Sequence, residues 1–149
     1  MSDIPFPIPV PKEAGSESKS LLEKLNRKRI LVIDDDPTVL KTVREFLSDD
    51  YDVAVARSGS VAYRYLEKNP VDLVLIDYEM PGEKGVSVLQ NIHKIPFSIN
   101  VPAIFLTGAA DSHTVFQIFT VKPKGYLLKP VDKNKLLSKI KEVLYPVQI

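Results

Sequence analysis

The sequence predicts a doubly wound α/β fold, in which a five-stranded parallel sheet carries helices on both faces. Short apolar runs rich in β-branched residues alternate along the chain with segments whose apolar residues recur at helical spacing. Such continuous apolar runs are typical of strands that are buried on both faces. Several of the runs end in a charged or hydroxyl residue. The carboxyl edge of a parallel sheet is where ligands bind, so a functional site is predicted there.

The third strand in chain order carries the most informative carboxylate. Its sequence, VDLVLID, is an apolar run that ends in Asp77. The sequence Met80-Pro81-Gly82 follows closely and favours a turn. Asp77 is therefore predicted to lie at the carboxyl end of a buried strand.

The first strand, ILVI, also runs into carboxylates, because it precedes Asp34, Asp35 and Asp36. Asp36 is interpreted as a helix cap, with Pro37 in the first helical turn. Asp34 and Asp35 would repel Asp77 on a neighbouring strand unless protons or a cation neutralised them. Oxygen ligands of this kind favour Mg²⁺ over Ca²⁺, and a solvated acidic turn is the alternative.

Two later strands add a hydroxyl and a cation to the same edge. Residues 103–107 end in Thr107, and residues 126–129 end in Lys129. A carboxylate nucleophile, metal-binding carboxylates, a hydroxyl and an ammonium group form a site suited to accepting a phosphoryl group, whose oxygens they would neutralise.

The remaining elements complete the alternation. Helices are predicted over residues 37–48 and 60–68, from Gly85, from about Asp111 and after a cap at Asp132, and a weakly alternating strand is predicted over residues 52–57. The aromatic and aliphatic residues of these helices are interpreted as ordinary core.

Residues 1–28 are predicted to form a partly flexible N-terminal extension, and residues 29–149 the folded domain. Proline alternates with apolar residues over positions 4–11, a pattern that enforces an extended conformation, and a polar linker follows. Leu21, Leu22 and Leu25 form an apolar stripe on a short helix or turn. Two roles stay open for the extension, a disordered leader or a segment that docks on the domain or on a partner.

Composition narrows the function classes. A chain of 149 residues with 44% hydrophobic content builds one sizeable core. A formal net charge of +1 gives no polyanion-binding signature, and His93 and His113 have no nearby partners for zinc. The absence of cysteine fits a reducing compartment, and no apolar stretch is long enough to span a membrane. We expect a soluble cytoplasmic protein that binds neither DNA nor membrane.

The acidic pair Asp34-Asp35, followed at these spacings by Asp77, Thr107 and Lys129, resembles the receiver domain of bacterial-type two-component response regulators. The resemblance extends from about residue 29 to about residue 145 and is greatest to stand-alone, chemotaxis-regulator-like proteins. It implies a flavodoxin-like sheet with strand order 2-1-3-4-5, which periodicity alone does not fix.

The resemblance also implies the chemistry. The residue at the position of Asp77 accepts a phosphoryl group from a sensor histidine kinase or a phosphotransfer protein. Asp34, Asp35, Asp77 and the backbone carbonyl of Glu79 hold Mg²⁺, with Mn²⁺ as a substitute. The protein would be a phosphoprotein in a phosphorelay rather than an enzyme.

Further roles follow from the same resemblance. Thr107 and Lys129 bind the phosphoryl group, Thr107 and Tyr126 form the switch, and the peptide bond before Pro130 is expected to be cis. A downstream protein would bind helix four, strand five and helix five, and phosphorylation would favour a weak homodimer.

Two features set this chain apart. Glu79 and Ala109 match positions that tune hydrolysis of the acyl phosphate, and Ala109 offers no hydrogen bond to orient water, so we expect slow self-dephosphorylation. Residues 122–124 (KPK) stand where most receivers have a Gly-Ala pair, so the fourth helix must end differently.

Other functions fit the residues less well. A flavodoxin-like electron carrier shares the fold, but three aspartates in its first loop would repel the phosphate of the flavin. A magnesium-dependent phosphatase with an aspartate nucleophile would want an aspartate where Glu79 stands. A receiver that forms part of a larger multidomain regulator or hybrid kinase remains the open alternative.

Overall fold

The computed structural model describes residues 21, 22 and 25–147. Residues 21, 22 and 25 are helical, and from Arg29 onward five strands alternate with five α-helices. In chain order the elements are β1 (Arg29–Ile33), α1 (Pro37–Leu47), β2 (Asp52–Ala56), α2 (Gly59–Leu66), β3 (Leu73–Asp77), α3 (Gly85–Ile92), β4 (Ala103–Thr107), α4 (Ser112–Phe119), β5 (Gly125–Leu128) and α5 (Lys133–Leu144). The proline-alternating segment and most of the predicted linker lie outside the described residues, and the domain boundary after residue 28 stays a prediction.

The strands form one parallel sheet in the order β2-β1-β3-β4-β5. The predicted doubly wound architecture and the strand order are both confirmed. In the register of the sheet, Ile33 pairs with Ile76, Asp77 with Leu106 and Thr107 with Leu128. The carboxyl ends of these strands are therefore level, which brings the residues that follow them to one edge.

Alternating side chains of the central strands contribute to two separate cores, one on each face of the sheet. Leu31 and Ile33 pack under α2, α3 and α4, whereas Ile30 and Val32 pack under α1 and α5. All five residues of β3 and all five of β4 are buried. Burying one such aliphatic side chain is worth about 1.5–3 kcal/mol, so the middle of the sheet is the most strongly held part of the fold.

The prediction that the apolar residues of the helices are ordinary core is wrong at three positions. The exposed fractions are 68% for Phe116, 46% for Phe119 and 38% for Val61. On α4 the core face is formed by Thr114 and Ile118, which are four residues apart. Phe116 lies about half a helical turn from these residues and so faces away from the core.

The ends of the helices follow the predicted chemistry. Asp36 caps α1 by accepting from the amide of Thr38 at 2.9 Å, and Asp132 caps α5 by accepting from the amide of Lys135 at 2.9 Å. After α4 the chain turns at Lys122, whose φ of 53° is left-handed. A lysine thus takes the left-handed conformation that glycine usually provides, because a residue with a side chain can adopt it at a cost. The prediction that the fourth helix must end differently is therefore wrong for the backbone. Among the described residues, none of the helices combines the length and apolar character needed to cross a bilayer.

Gly85 offers a test of how closely α3 packs behind β3. A Cβ atom at Gly85 would lie 3.0 Å from the Phe105 ring and would overlap the backbone carbonyl of Asp77. We expect Gly85→Ala to lower the free energy of unfolding by roughly 1–3 kcal/mol, as overpacking does. Urea denaturation measures the change. Gly108→Ala is the matched control, because a Cβ there meets nothing within 4 Å. Equal stabilities of the two variants would contradict the close packing.

Candidate functional site

The predicted site residues meet at the carboxyl edge of the sheet. Asp34 follows β1, Asp77 ends β3, Thr107 ends β4 and Lys129 follows β5. The amide of Lys129 donates to the carbonyl oxygen of Thr107 at 2.8 Å, which extends the pairing of β4 and β5 by one step. The sheet itself therefore sets the spacing between these side chains.

Lys129 connects two carboxylates. Its ammonium nitrogen lies 2.8 Å from Oδ2 of Asp34 and 3.1 Å from Oδ1 of Asp77. The side chain of Lys129 is 23% exposed, whereas that of Asp34 is fully buried. Carboxylates buried to this degree need a charged partner, and Lys129 provides it. The peptide bond between Lys129 and Pro130 is cis.

Three carboxylates in this site are placed to share a cation. One oxygen from each of Asp34, Asp35 and Asp77 lies within 4.8 Å of the others. Asp34 also accepts the amide of Asp36 at 2.9 Å through Oδ1. With all three carboxylates ionised, the single ammonium group of Lys129 leaves two negative charges uncompensated. A divalent cation with oxygen ligands balances that charge, so the residues fit Mg²⁺.

Asp77, which is buried at the end of β3, is a weaker acid than an ordinary aspartate. Burial, followed by the neighbouring charge of Asp34, raises the pKa of Asp77 from 3.8 to about 6, although Lys129 and the amide of Glu79 oppose the shift. For Lys129, burial lowers the pKa, but the hydrogen bonds and charges of Asp34 and Asp77 outweigh it and leave the pKa above its usual value. Asp77 is thus a carboxylate whose negative charge is costly and whose neutralisation would be favourable.

The hydroxyl of Thr107 is engaged within its own loop. It donates to the carbonyl oxygen of Ala109 at 2.9 Å and accepts from the amide of Ala109 at 3.2 Å. Thr107 is only 2% exposed. A shift of this hydroxyl toward Asp77 would have to break the bond to the Ala109 carbonyl, so the hydroxyl and the loop after β4 are coupled.

Tyr126 and the two predicted hydrolysis positions lie around this centre. The Tyr126 ring is half-buried and contacts Phe119 of α4 edge to face, with ring centroids 6.2 Å apart. The side chains of Glu79 and Ala109 are exposed. The amide of Glu79 donates to Oδ1 of Asp77 at 3.2 Å, which holds the start of the following loop against the acidic centre.

The sequence did not indicate a second polar cluster beside the site. The Glu83 carboxylate accepts from the Tyr63 hydroxyl at 2.9 Å and from the Asn91 amide at 3.0 Å, and that amide also donates to the Tyr63 oxygen at 3.1 Å. Tyr63 lies 20 residues before Glu83, on α2. No local spacing links these residues, so only the packing of α2 against α3 reveals the cluster.

The raised pKa of Asp77 predicts how stability depends on pH in buffer without divalent cations. The folded protein holds the proton up to about pH 6, whereas the unfolded chain releases it near 3.8, so ionisation destabilises the fold as the pH rises through this window. We expect Asp77→Asn to be more stable than wild type at about pH 8 by on the order of 2 kcal/mol, with the difference nearly gone at about pH 4. Urea denaturation across the pH range measures it, and a gain that does not change with pH would contradict the assignment.

Comparisons with known proteins identify the family of the domain. The family model described as the response regulator receiver domain matches residues 30–141. The transcriptional regulatory protein CrdR of Helicobacter pylori is 33% identical over 116 residues, which are 77% of this chain and 54% of that protein. The autoinducer sensor kinase/phosphatase CqsS of Vibrio cholerae is 30% identical over 122 residues, which are 80% of this chain and 18% of that protein. The chain spans about half or less of the length of the curated relatives it matches.

Solved structures show the same fold. A CheY-like receiver domain protein of Methanospirillum hungatei superposes with a TM-score of 0.72 at 30% identity, over 79% of this chain and 94% of that one. Chemotaxis protein CheY4 of Vibrio cholerae gives a TM-score of 0.75 at 24% identity, over 79% of this chain and 99% of that one, and supports the fold alone. The parallel sheet, its edge of carboxylates and these matches agree, and the chain belongs to the response regulator receiver domain family.

Proposed function

We propose that this receiver accepts a phosphoryl group on Asp77 from a sensor histidine kinase or a phosphotransfer protein, within a phosphorelay. The observation that carries the proposal is the position of Lys129, whose ammonium nitrogen lies within 3.1 Å of Asp77 and 2.8 Å of Asp34. A phosphoryl group attached to Asp77 would lie beside this cation. Developing negative charge on its oxygens would be neutralised by a group already in place.

The proposed metal ligands are Asp34, Asp35, Asp77 and the backbone carbonyl of Glu79. Both oxygens of Asp34 already accept hydrogen bonds, from the amide of Asp36 and from Lys129. Asp35 and Asp77 would therefore bind the ion directly, and Asp34 would act largely through a bound water. When bound, Mg²⁺ or Mn²⁺ supplies charge neutralisation for the phosphoryl oxygens.

In the proposed transfer, one carboxylate oxygen of Asp77 attacks the phosphorus of a phosphohistidine. The P–N bond breaks, its electron pair goes to the imidazole nitrogen, which takes a proton from solvent, and an acyl phosphate forms on Asp77. Lys129 neutralises the phosphoryl oxygens during the transfer. The same attack on acetyl phosphate releases acetate.

The signal would leave the site through Thr107. In the phosphorylated state the Thr107 hydroxyl would donate to a phosphoryl oxygen instead of the Ala109 carbonyl. The loop after β4 would move with it, and the Tyr126 ring would follow into the vacated space, altering its contact with Phe119. This is a shift between two packings, biased by a local charge.

The proposed output surface consists of α4, β5 and α5. It carries exposed apolar side chains at Phe116, Phe119 and Leu128, with exposed fractions of 68%, 46% and 50%. Exposed aromatic and aliphatic residues of this kind favour protein contacts. We propose that the downstream protein binds this surface. We also propose that phosphorylation favours a weak homodimer and that the protein acts in the cytoplasm.

A second reading is that the receiver works within a larger regulator or hybrid kinase. It is favoured by the curated relatives, of which the chain spans about half or less. The mass of the native protein, measured in extracts of its host, distinguishes the two. A mass near 16.7 kDa favours the stand-alone form.

The assignment of Asp77 predicts that Asp77→Asn abolishes labelling by acetyl phosphate or a phosphorylated kinase, because the amide is not a nucleophile toward phosphorus. Labelling of wild type should also stop when EDTA removes divalent cations. Mass spectrometry and acid lability of the phosphate measure the result. Asp36→Asn is the matched control, since asparagine caps a helix about as well as aspartate, and it should label normally. Full acid-labile labelling of Asp77→Asn would exclude the assignment.

The side chain of Ala109 is exposed but offers no hydrogen bond to orient a water, which predicts a long-lived phosphorylated state. A glutamine at this position could orient the attacking water, so Ala109→Gln should lose phosphate faster than wild type by on the order of tenfold. Release of inorganic phosphate from purified, phosphorylated protein with Mg²⁺ measures the rate. Ala110→Gln makes the same change one exposed position later and should decay like wild type. If Ala109→Gln decays no faster than Ala110→Gln, the missing amide does not set the lifetime.

A further inference from the structure

The loop that follows Asp77 has an anchor of its own. We call residues 78–84 the acceptor loop, and Glu83 with its partners Tyr63 and Asn91 the Glu83 latch. Each oxygen of the Glu83 carboxylate accepts one hydrogen bond, Oε1 from Tyr63 at 2.9 Å and Oε2 from Asn91 at 3.0 Å. A loop carboxylate is therefore held at both oxygens by two different helices, α2 and α3.

The neighbouring helix is shaped to receive this carboxylate. Gly59, the first residue of α2, is buried, and a Cβ atom there would overlap Oε1 of Glu83. The hydroxyl of Tyr63 is partly buried beside the same oxygen, and burial together with Glu83 raises the pKa of Tyr63 to about 12. Tyr63 thus stays a neutral hydrogen-bond donor at all ordinary pH values. The space beside Gly59 and the donors of Tyr63 and Asn91 together accommodate the Glu83 carboxylate.

The acceptor loop has few other polar anchors among the described residues. Its ends are held by the Glu79 amide on Asp77 at 3.2 Å and by the Gly85 amide on the Tyr78 carbonyl at 2.9 Å. Met80 is buried and holds the middle by apolar contact. Among residues 81–83, the polar contacts found are those of the Glu83 side chain, and the Lys84 carbonyl accepts from the Val88 amide at 3.0 Å. This half of the loop would gain freedom if the latch were opened.

We propose that Glu83 is a positioning residue for phosphoryl transfer, acting through the acceptor loop. This inference rests on the proposed function, because the loop carries the Glu79 carbonyl assigned to the metal. A carbonyl on a restrained loop binds a cation without first losing backbone freedom, so the latch raises metal affinity by preorganisation. Glu83 itself touches neither the metal nor the phosphoryl group.

The latch is predicted to act as a unit. Opening it leaves the partly buried Tyr63 hydroxyl without an acceptor and leaves the Asn91 amide with the Tyr63 oxygen alone, so the loss is shared between the three residues. Glu83→Gln keeps the size of the side chain but removes its charge and one of its acceptor oxygens. Tyr63→Phe keeps the ring and removes only the hydroxyl. Either change should open the latch while leaving the core packing of α2 in place.

The test measures Mg²⁺ binding by calorimetry and the amide hydrogen exchange of residues 78–84. Glu83→Gln and Tyr63→Phe should each raise the dissociation constant for Mg²⁺ about threefold to tenfold, the effect of losing roughly one hydrogen bond. They should also speed exchange in the acceptor loop, and the phosphorylation rate should recover at saturating Mg²⁺. The double variant should bind Mg²⁺ about as well as Glu83→Gln alone, because the two residues belong to one unit.

Asn69→Ala is the matched control. It removes a different hydrogen bond, which the Asn69 side-chain amide donates to the Tyr65 carbonyl oxygen at 2.9 Å. This bond lies at the far end of α2 from Gly59. Asn69→Ala should lower the melting temperature without changing Mg²⁺ affinity. Unchanged Mg²⁺ affinity in both latch variants would overturn the proposal, and so would an equal loss of Mg²⁺ affinity in Asn69→Ala. In either case, phosphorylation of wild type would still support the proposed function. If wild type bound no Mg²⁺, the proposed function would fail, and unchanged loop exchange in the variants would overturn the latch as well.

Discussion

The buried contact between one ammonium group and two carboxylates is the constraint on which the rest of this molecule depends. Lys129 follows the edge strand β5, and its ammonium group contacts Asp34 after β1 and Asp77 at the end of β3. Removing Lys129 would leave two carboxylates uncompensated, which is far costlier than replacing the whole group by apolar residues. The contact therefore adds little to net stability. Its value lies in keeping acidic groups together that would otherwise separate.

The parallel sheet provides the rigidity that this arrangement needs. β3, which ends in Asp77, is buried along its whole length, and β1, which precedes Asp34, is buried from Ile30 to Ile33, so neither backbone can retreat to relieve the repulsion between the two carboxylates. The repulsion appears instead as the raised pKa of Asp77. A rigid frame that holds like charges together favours the protonated form of Asp77, and the bound cation that we propose would relieve the same repulsion. The loop after β4 is exposed at residues 108–113 and the ring of Tyr126 is half-buried, so both are packed less fully than this frame.

The sequence was sufficient for the features that depend on local pattern. Apolar runs ending in Asp77 and Thr107 gave the strands, and Asp36 and Asp132 gave the helix starts, because strand burial and capping act within a few residues. The strand order came from the family resemblance. Exposure of Phe116 and Phe119 was missed because a short helix shows too few turns for its faces to be separated. The Glu83 latch was missed because its partners meet only through the packing of helices, which no spacing along the chain encodes.

The hydrogen bond between Lys129 and Asp34 joins residues that are 95 positions apart in the chain. Contacts of such high sequence separation form only after the intervening segments have been brought together, at a cost in chain entropy. The strands β1, β3, β4 and β5 must be in register before the ammonium group reaches its carboxylates. A partly folded chain, or a nascent one still lacking β5, would therefore present Asp77 without its cation. Under the proposed function, only the finished fold could receive a phosphoryl group, and immature copies would not respond.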